Sequence, residues 1–169
     1  MDPKPQKRID HIAVAVQSLD EALKFYQDAL GLRCLGIEVV EEQGVRVAKL
    51  DAGNTHIELL EPLNESTPVG KFLAARGQGL HHICFEVDDI NSELGQLKSK
   101  QTRLIDETAK IGAGGAHIAF VHPKATGGVL MELSQWPTGS EAPTGSGPEA
   151  PTGPEAPTGP EISAGPEIS

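Results

Sequence analysis

Two histidines and two glutamates occupy matching places in the two halves of the chain. Glu58 follows His11 by 47 residues, and Glu132 follows His82 by 50, while the two histidines are offset by 71. Imidazole nitrogens and carboxylate oxygens together suit a divalent transition metal such as cobalt, manganese, nickel or zinc. Four such ligands in an octahedral shell leave two positions for water or substrate, which a catalytic site needs. The residue types therefore predict a metal centre.

Each of these residues also has an ordinary structural explanation. A single histidine in an apolar strand is more often a hydrogen-bonded core residue than a ligand, and Glu58 could belong to the polar face of an alternating strand. Glu132 is harder to explain in this way, because burying an unpaired carboxylate is costly. The coincidence of all four inside a repeat favours the metal centre. His81 and His82 are neighbours that should point to opposite faces of a strand, so we expect only His82, which fits the repeat, to be a ligand.

The elements that must position these residues form two copies of one pattern, a strand, a helix and three strands. The strands of the first copy are predicted at 9–16, 33–40, 45–50 and 56–61. Those of the second copy are predicted at 80–87, 102–105, 116–121 and 129–134. The first helix begins after Ser18 and ends at Gly31, and the second begins after Asp89 and ends near residue 100. A short helix at about 68–76 links the copies.

One helix cannot cover both faces of a four-stranded sheet, so each copy leaves a face open. Two such units related by a pseudo-twofold can curl into one sheet with a concave face, where a site should lie. We predict an α+β fold in which two βαβββ modules form one curled eight-stranded mixed sheet around the metal site, with the helices outside. The domain spans 8–136, with modules at about 8–62 and 79–136 after an N-terminal extension at 1–7.

The segment 137–169 has a different composition. It consists of near-repeats rich in proline and glycine, with five glutamates and no lysine or arginine. Such a segment offers too little apolar surface to offset the entropy of ordering. We predict a disordered acidic tail, which either increases solubility or docks a partner.

Charge and hydropathy exclude several classes of function. A formal net charge of -10 argues against a nucleic-acid partner, which would need a basic surface. No apolar run approaches the roughly 20 residues that span a bilayer, and the first residues lack the apolar stretch of a secretory signal. We expect a cytoplasmic protein without membrane contact. Cys34 and Cys84 lie in apolar runs that suit reduced thiols.

Several blocks of the sequence resemble the methylmalonyl-CoA epimerases of the glyoxalase-like, or vicinal oxygen chelate, superfamily. The blocks are Ile9–Val16, Gly79–Cys84, Lys110–Gly115, His122–Lys124 and Gly128–Leu133. The Lys-Ile-Gly and His-Pro-Lys blocks are the most specific of them. The glycine-rich stretch at 111–115 lacks the spacing of a nucleotide-binding loop, and by itself it fits either a rim over a site or a hairpin turn.

The resemblance implies a reaction and roles for the site residues. His11, His82 and Glu132 fall on metal-ligand positions, and Glu58 falls where relatives have glutamine or glutamate. The activity implied is epimerisation of (2R)- and (2S)-methylmalonyl-CoA by metal-assisted proton transfer at C2 through an enolate, with cobalt as the preferred ion. Glu132 and, in second place, Glu58 would move the proton. Some relatives have a further catalytic glutamate where this chain has Val47, so the identity of the second base stays open.

An acyl-CoA substrate also needs cations for its phosphates. Lys71, Arg76 and Lys124 are candidates, although an ordinary solvated role explains them equally well. We further expect a homodimer. The alternatives are a lactoylglutathione lyase (glyoxalase I), which uses the same kinds of ligand, and a metal-free small-molecule-binding module of the same fold.

Overall fold

The computed structural model describes residues 7–138, so the expectations for 1–6 and for 139–169 lie outside the described residues. The strands are β1 Arg8–Ala15, β2 Arg33–Val40, β3 Val45–Asp51, β4 His56–Pro62, β5 Gly79–Glu86, β6 Lys110–Ile111, β7 His117–Val121 and β8 Leu130–Gln135. The helices are α1 Leu19–Leu23, α2 Pro68–Arg76 and α3 Ile90–Ser99. None of these helices is long and apolar enough to cross a bilayer.

All eight strands form one mixed sheet in the order β2-β3-β4-β1-β5-β8-β7-β6. β1 pairs with β4 in parallel, as β5 does with β8, and the other neighbouring strands are antiparallel. The antiparallel β1–β5 pair joins the modules, and the strand order on one side of it mirrors the order on the other. A pseudo-twofold axis between β1 and β5 produces this pattern. The predicted α+β fold of two modules in one curled eight-stranded sheet is confirmed.

Polar side chains begin the three helices. Ser18, Thr67 and Asp89 each accept a hydrogen bond from the backbone N–H three residues later, over 3.0–3.4 Å. These bonds satisfy N–H groups that have no partner within the helix itself. The starts of the helices therefore agree with the sequence-based expectation, because capping depends on local sequence.

Apolar side chains pack on both faces of the sheet. Glu58 and Leu59 are neighbours in β4 and therefore point to opposite faces. The face that carries Leu59 packs against α1 through Val16, Leu19, Ala48 and Leu50. The second module has an equivalent core under α3, made by Val87, Ile90, Leu94, Ala119, Val121 and Leu133. On the face that carries Glu58, one end is filled by Ala13, Ala15, Val40, Val45, Val47, Leu60 and Val69.

The predicted strand at 102–105 is wrong. Leu104 makes only an isolated bridge with Val121, and the N–H groups of Ile105 and Asp106 both donate to the carbonyl of Phe120, at 2.9 and 3.1 Å. Two donors on one carbonyl interrupt the regular spacing of a ladder. The sixth strand is instead the two-residue β6.

The first helix ends at Gly31 as predicted, but its second half is π-helical, at Lys24–Ala29. The N–H of Leu30 donates to the carbonyl of Phe25, five residues back, at 2.8 Å. This wider turn leaves both of these side chains more than half exposed. Apolar periodicity indicates a helix here without distinguishing its hydrogen-bonding type.

Two helical glycines give a matched test of the packing. A Cβ at Gly95 in α3 would meet no atom within 4 Å, whereas one at Gly70 in α2 would overlap the backbone carbonyl of Asn64. Gly95→Ala should raise the free energy of unfolding by about 0.5–1 kcal/mol, because alanine loses less backbone entropy in a helix. Gly70→Ala should lower it despite the same entropic gain. Urea denaturation measures both, and equal stabilisation by the two would contradict the packing of α2.

Candidate functional site

The two central strands each contain a β-bulge immediately before a site histidine. The register between β1 and β5 shifts by one residue at Asp10 and again at His81. These residues precede His11 and His82, and they are themselves 71 apart, so the bulges are related by the repeat. A bulge re-aims the side chains beside it. In both modules it sets the orientation of the histidine that follows.

The bulge also brings two imidazoles together that strict alternation would separate. The Nδ1 atoms of His81 and His82 are 2.8 Å apart, and their ring centroids are 5.1 Å apart. The expectation that these side chains point to opposite faces is therefore wrong, because alternation fails at a bulge. His81 lies on the Nδ1 side of His82 and packs edge-on against Phe72, with 4.9 Å between centroids.

The four predicted ligand residues converge at the centre of the sheet. The Nε2 atoms of His11 and His82 are 3.1 Å apart. Oε2 of Glu132 lies 2.6 Å from Nε2 of His82 and 3.4 Å from Nε2 of His11. Oε2 of Glu58 lies 3.5 Å from Nε2 of His11. Each of these residues is 4–6% exposed, so the cluster is shielded from water.

The separations within this cluster fit a divalent ion. Ligand atoms about 2.1 Å from a metal and at right angles to one another lie about 3 Å apart, close to the 2.6–3.4 Å separations among His11, His82 and Glu132. His11, His82 and Glu132 form a group compact enough to hold a metal. Asp10, His11 and Cys84 form a second compact group. That group suits a metal less well, because burial raises the pKa of the Cys84 thiol to about 12 and metals bind the thiolate.

The outward-facing nitrogen of each cluster histidine also has a partner. Nδ1 of His11 donates to Oδ1 of Asp10 over 2.7 Å, and Oδ2 of Asp10 accepts from Nε1 of Trp136 over 2.6 Å. His82 has the imidazole of His81 at the equivalent place. Such contacts fix the orientation and tautomer of a ligating imidazole. Sequence reasoning missed these partners, although the 71-residue offset relates Asp10 to His81.

Burial and hydrogen bonding move the pKa values of the cluster in opposite directions. Burial lowers the pKa of His11, but the charge of Glu58 and the bond to Asp10 outweigh it and hold the pKa well above its ordinary value. Burial raises the pKa of Glu132, but bonds with His11 and His82 outweigh it and bring the pKa to about 2. Without a metal, the cluster therefore holds a charged imidazole and a charged carboxylate at neutral pH.

A cavity of about 400 Å³ opens beside the cluster. Its lining residues are Leu35, Gly36, Ile37, Glu38, Val47, Lys49, Glu58, Ala113, Gly114 and Trp136. Glu58 is the cluster carboxylate that faces this space. The carboxylate of Glu38 accepts a hydrogen bond from the N–H of Gly114 over 3.0 Å, which ties the edge strand β2 to the glycine-rich stretch. That stretch therefore forms part of the cavity rim.

The cations proposed for the CoA phosphates lie elsewhere. Lys71 and Arg76 are exposed on α2, and Lys124 is exposed in a turn after β7. None of the three is among the described residues that line the cavity, so their role stays a prediction. The cation that does line the cavity is Lys49. The sequence offered one signal for this placement in the cavity wall. Lys49 lies two residues after Val47 on β3, and residues two apart share a face of a strand.

Comparisons with known proteins support the same fold. Residues 10–120 match the family model described as the glyoxalase/bleomycin resistance protein/dioxygenase superfamily. The chain is 44% identical over 129 residues to a mouse protein named mitochondrial methylmalonyl-CoA epimerase, covering 76% of this chain and 72% of the mouse protein.

Two solved structures are also similar. A methylmalonyl-CoA epimerase from Mycobacterium tuberculosis superposes with a TM-score of 0.72 at 38% identity, covering 76% of this chain and 87% of that one. A methylmalonyl-CoA epimerase in complex with methylmalonyl-CoA and NH4+ superposes with a TM-score of 0.72 at 39% identity, covering 76% and 94%. The likeness therefore extends over most of residues 7–138.

The pKa directions predict how the stability of the metal-free protein depends on pH. The raised pKa of His11 contributes stability that is complete below pH 6.5 and is lost as the pH rises through the folded value. The lowered pKa of Glu132 contributes stability that is complete above pH 4.5 and is lost as the pH falls towards 2. After treatment with a chelator, the free energy of unfolding should fall on both sides of this range.

Chemical denaturation at a series of pH values measures this dependence. His11→Gln should remove most of the alkaline decline, whereas the matched change His117→Gln, at an exposed site on β7, should preserve it. A wild-type stability that stays constant from pH 6.5 to the alkaline limit of folding would contradict a charged His11 in the metal-free cluster.

Proposed function

Since the chain belongs to the methylmalonyl-CoA epimerase family of the glyoxalase superfamily, we propose that it interconverts (2R)- and (2S)-methylmalonyl-CoA. The observation that carries the proposal is the buried cluster of His11, Glu58, His82 and Glu132 at the edge of a cavity. Epimerisation needs a proton removed from C2 and returned on the opposite face. A site with two carboxylates beside a cation-binding group can perform both steps.

We infer that the four cluster residues hold one divalent ion, with cobalt favoured by the family resemblance and manganese, nickel and zinc as the alternatives. A bound divalent ion supplies a Lewis acid that stabilises the negative charge developing on the substrate oxygens. The two carboxylates balance a charge of 2+, and both imidazoles direct Nε2 inward. In this arrangement Nδ1 of His82 carries the proton and donates to His81. Burial and the nearby His82 lower the pKa of His81 to about 4, which keeps His81 neutral and able to accept.

Glu58 and Glu132 are assigned the proton transfers. They occupy equivalent strands, β4 and β8, and thus approach the centre from opposite modules. Glu58 lines the cavity, whereas Glu132 is not among the described residues that line it. Glu58 is therefore assigned the larger part. Val47 presents an apolar side chain to the same cavity and cannot move a proton. The carboxylate directly opposite it, Glu38, accepts from the N–H of Gly114, so the cluster carboxylate Glu58 is assigned the transfer.

The cluster also bears on the alternative functions. A metal-free binding module has no need for two buried carboxylates and two imidazoles, so the cluster weighs against it. A lactoylglutathione lyase would use a similar set of ligands, and turnover of a glutathione hemithioacetal distinguishes it. We retain the homodimer, the cytoplasmic location and the phosphate contacts of Lys71, Arg76 and Lys124 as predictions.

Replacing each carboxylate by its amide tests the proton transfers. Glu58→Gln and Glu132→Gln keep an oxygen that can ligate but cannot accept a proton, so interconversion should fall by about 10²–10⁴-fold in each. In deuterated water each variant should still exchange the C2 proton of one epimer, and the two variants should exchange different epimers. Mass spectrometry of each resolved epimer measures this exchange.

The same experiment can reject the assignments. Full interconversion by Glu58→Gln would show that Glu58 is only a ligand, and full interconversion by Glu132→Gln would remove it from the proton path. A wild-type protein that turns over the glutathione hemithioacetal and leaves methylmalonyl-CoA unchanged would contradict the proposed function itself.

The partners on the outer side of the histidines predict an effect on metal affinity. Asp10→Asn keeps the shape of the side chain but removes the charge that orients and polarises His11, so affinity for the ion should fall by about 10–100-fold. Trp136→Phe removes only the second bond of Asp10 and should cause a smaller loss. Competition with a chromogenic chelator measures both, and unchanged affinity in Asp10→Asn would contradict this role.

A further inference from the structure

Lys49 places a cation in the wall of the cavity, where it interacts with Asp10 through its charge but forms no salt bridge among the described residues. Its side chain lines the cavity, and on β3 it stands directly opposite Glu58 of β4. Its Nζ lies 4.9 Å from the centroid of the Trp136 ring. Within residues 7–138 the ion pairs involve other lysines and arginines, and none involves Lys49.

The other charged groups of the cavity are already engaged. Glu38 accepts from the N–H of Gly114, and Glu58 faces His11 in the cluster. No other lysine or arginine lines the part of the cavity that the structure describes. The face of Trp136 holds an ammonium group weakly and keeps it within the cavity. An anionic ligand atom would therefore find one ammonium group here that no salt bridge within the described residues engages, partly shielded from water.

The size of the cavity indicates which part of a ligand reaches Lys49. A volume of about 400 Å³ is near the lower end for small-molecule sites, which run from about 300 to 1,000 Å³. A CoA thioester is much larger than this, so only its acyl end fits beside Glu58. The phosphates must lie outside the cavity, and the anion within reach of Lys49 is one carried by the acyl group itself.

We propose that Lys49 binds the free carboxylate of a 2-carboxyacyl thioester and so selects this substrate over the thioester that lacks the carboxylate. The inference rests on the proposed function, because it takes C2 to lie beside Glu58. The carboxylate is bonded directly to C2, and Lys49 is the neighbour of Glu58 on the same face of the sheet. An ammonium–carboxylate bond is charge-assisted and is strengthened by partial exclusion of water.

Two ligands that differ only in the carboxylate test this selection. Methylmalonyl-CoA, equilibrated at C2, and propionyl-CoA are titrated calorimetrically into the metal-loaded protein and its variants. Lys49→Met keeps the length of the side chain and removes its charge, so the affinity for methylmalonyl-CoA should fall by about 10–100-fold, while that for propionyl-CoA stays nearly unchanged. Lys49→Arg should retain most of the preference. Lys24→Met, at an exposed site on the first helix, should alter neither affinity.

The outcomes separate this inference from the proposed function. Equal losses of affinity for both ligands, or a preference for methylmalonyl-CoA that survives in Lys49→Met, would overturn the role of Lys49. Neither result would contradict the proposed epimerase activity, which the turnover assay tests separately. Retention of the preference in Lys49→Arg together with its loss in Lys49→Met supports the charge as the cause. A wild-type protein that binds the two thioesters equally would overturn the selection directly.

Discussion

Four ionisable side chains buried against one another at the pseudo-twofold axis impose the main constraint on this structure. Taking such groups out of water costs several kcal/mol for each ion, so they persist only where partners of opposite charge and hydrogen bonds compensate. In this structure, the symmetry of the fold brings together the partners that offset the cost of burying these groups. Each module contributes one imidazole and one carboxylate, and the β1–β5 pair brings the two sets into contact.

The scaffold is symmetric, but its chemistry is not. The bulge residue is a carboxylate, Asp10, in the first module and an imidazole, His81, in the second. The cavity likewise opens mainly against strands of the first module, where Lys49 and Glu58 face it. A symmetric site would treat both ends of a ligand alike. Under the proposed function, the differences between the modules would let one side hold and orient the acyl group while the other completes the proposed ion-binding set.

Much of this arrangement could be predicted from the sequence because it depends on periodicity. Apolar alternation identified most of the strands, caps at Ser18 and Asp89 identified two of the helix starts, and the repeat aligned His11 with His82. The errors arose where local pattern does not determine geometry. The contact between His81 and His82 depends on a bulge created by pairing with β1. The contact of Lys49 with Trp136 could not be predicted, because it joins β3 to the residue that follows β8 across more than 80 residues of chain.

The central claim is that His11, Glu58, His82 and Glu132 jointly hold one divalent ion, and X-ray absorption at the cobalt edge tests it most directly. Protein reconstituted with cobalt should retain about one ion per chain in a six-coordinate shell. The spectrum should show the outer-shell scattering of two imidazoles together with oxygen ligands. The variant His82→Ala should lose one imidazole contribution. A spectrum without imidazole scattering, or one that His82→Ala leaves unchanged, would contradict the account.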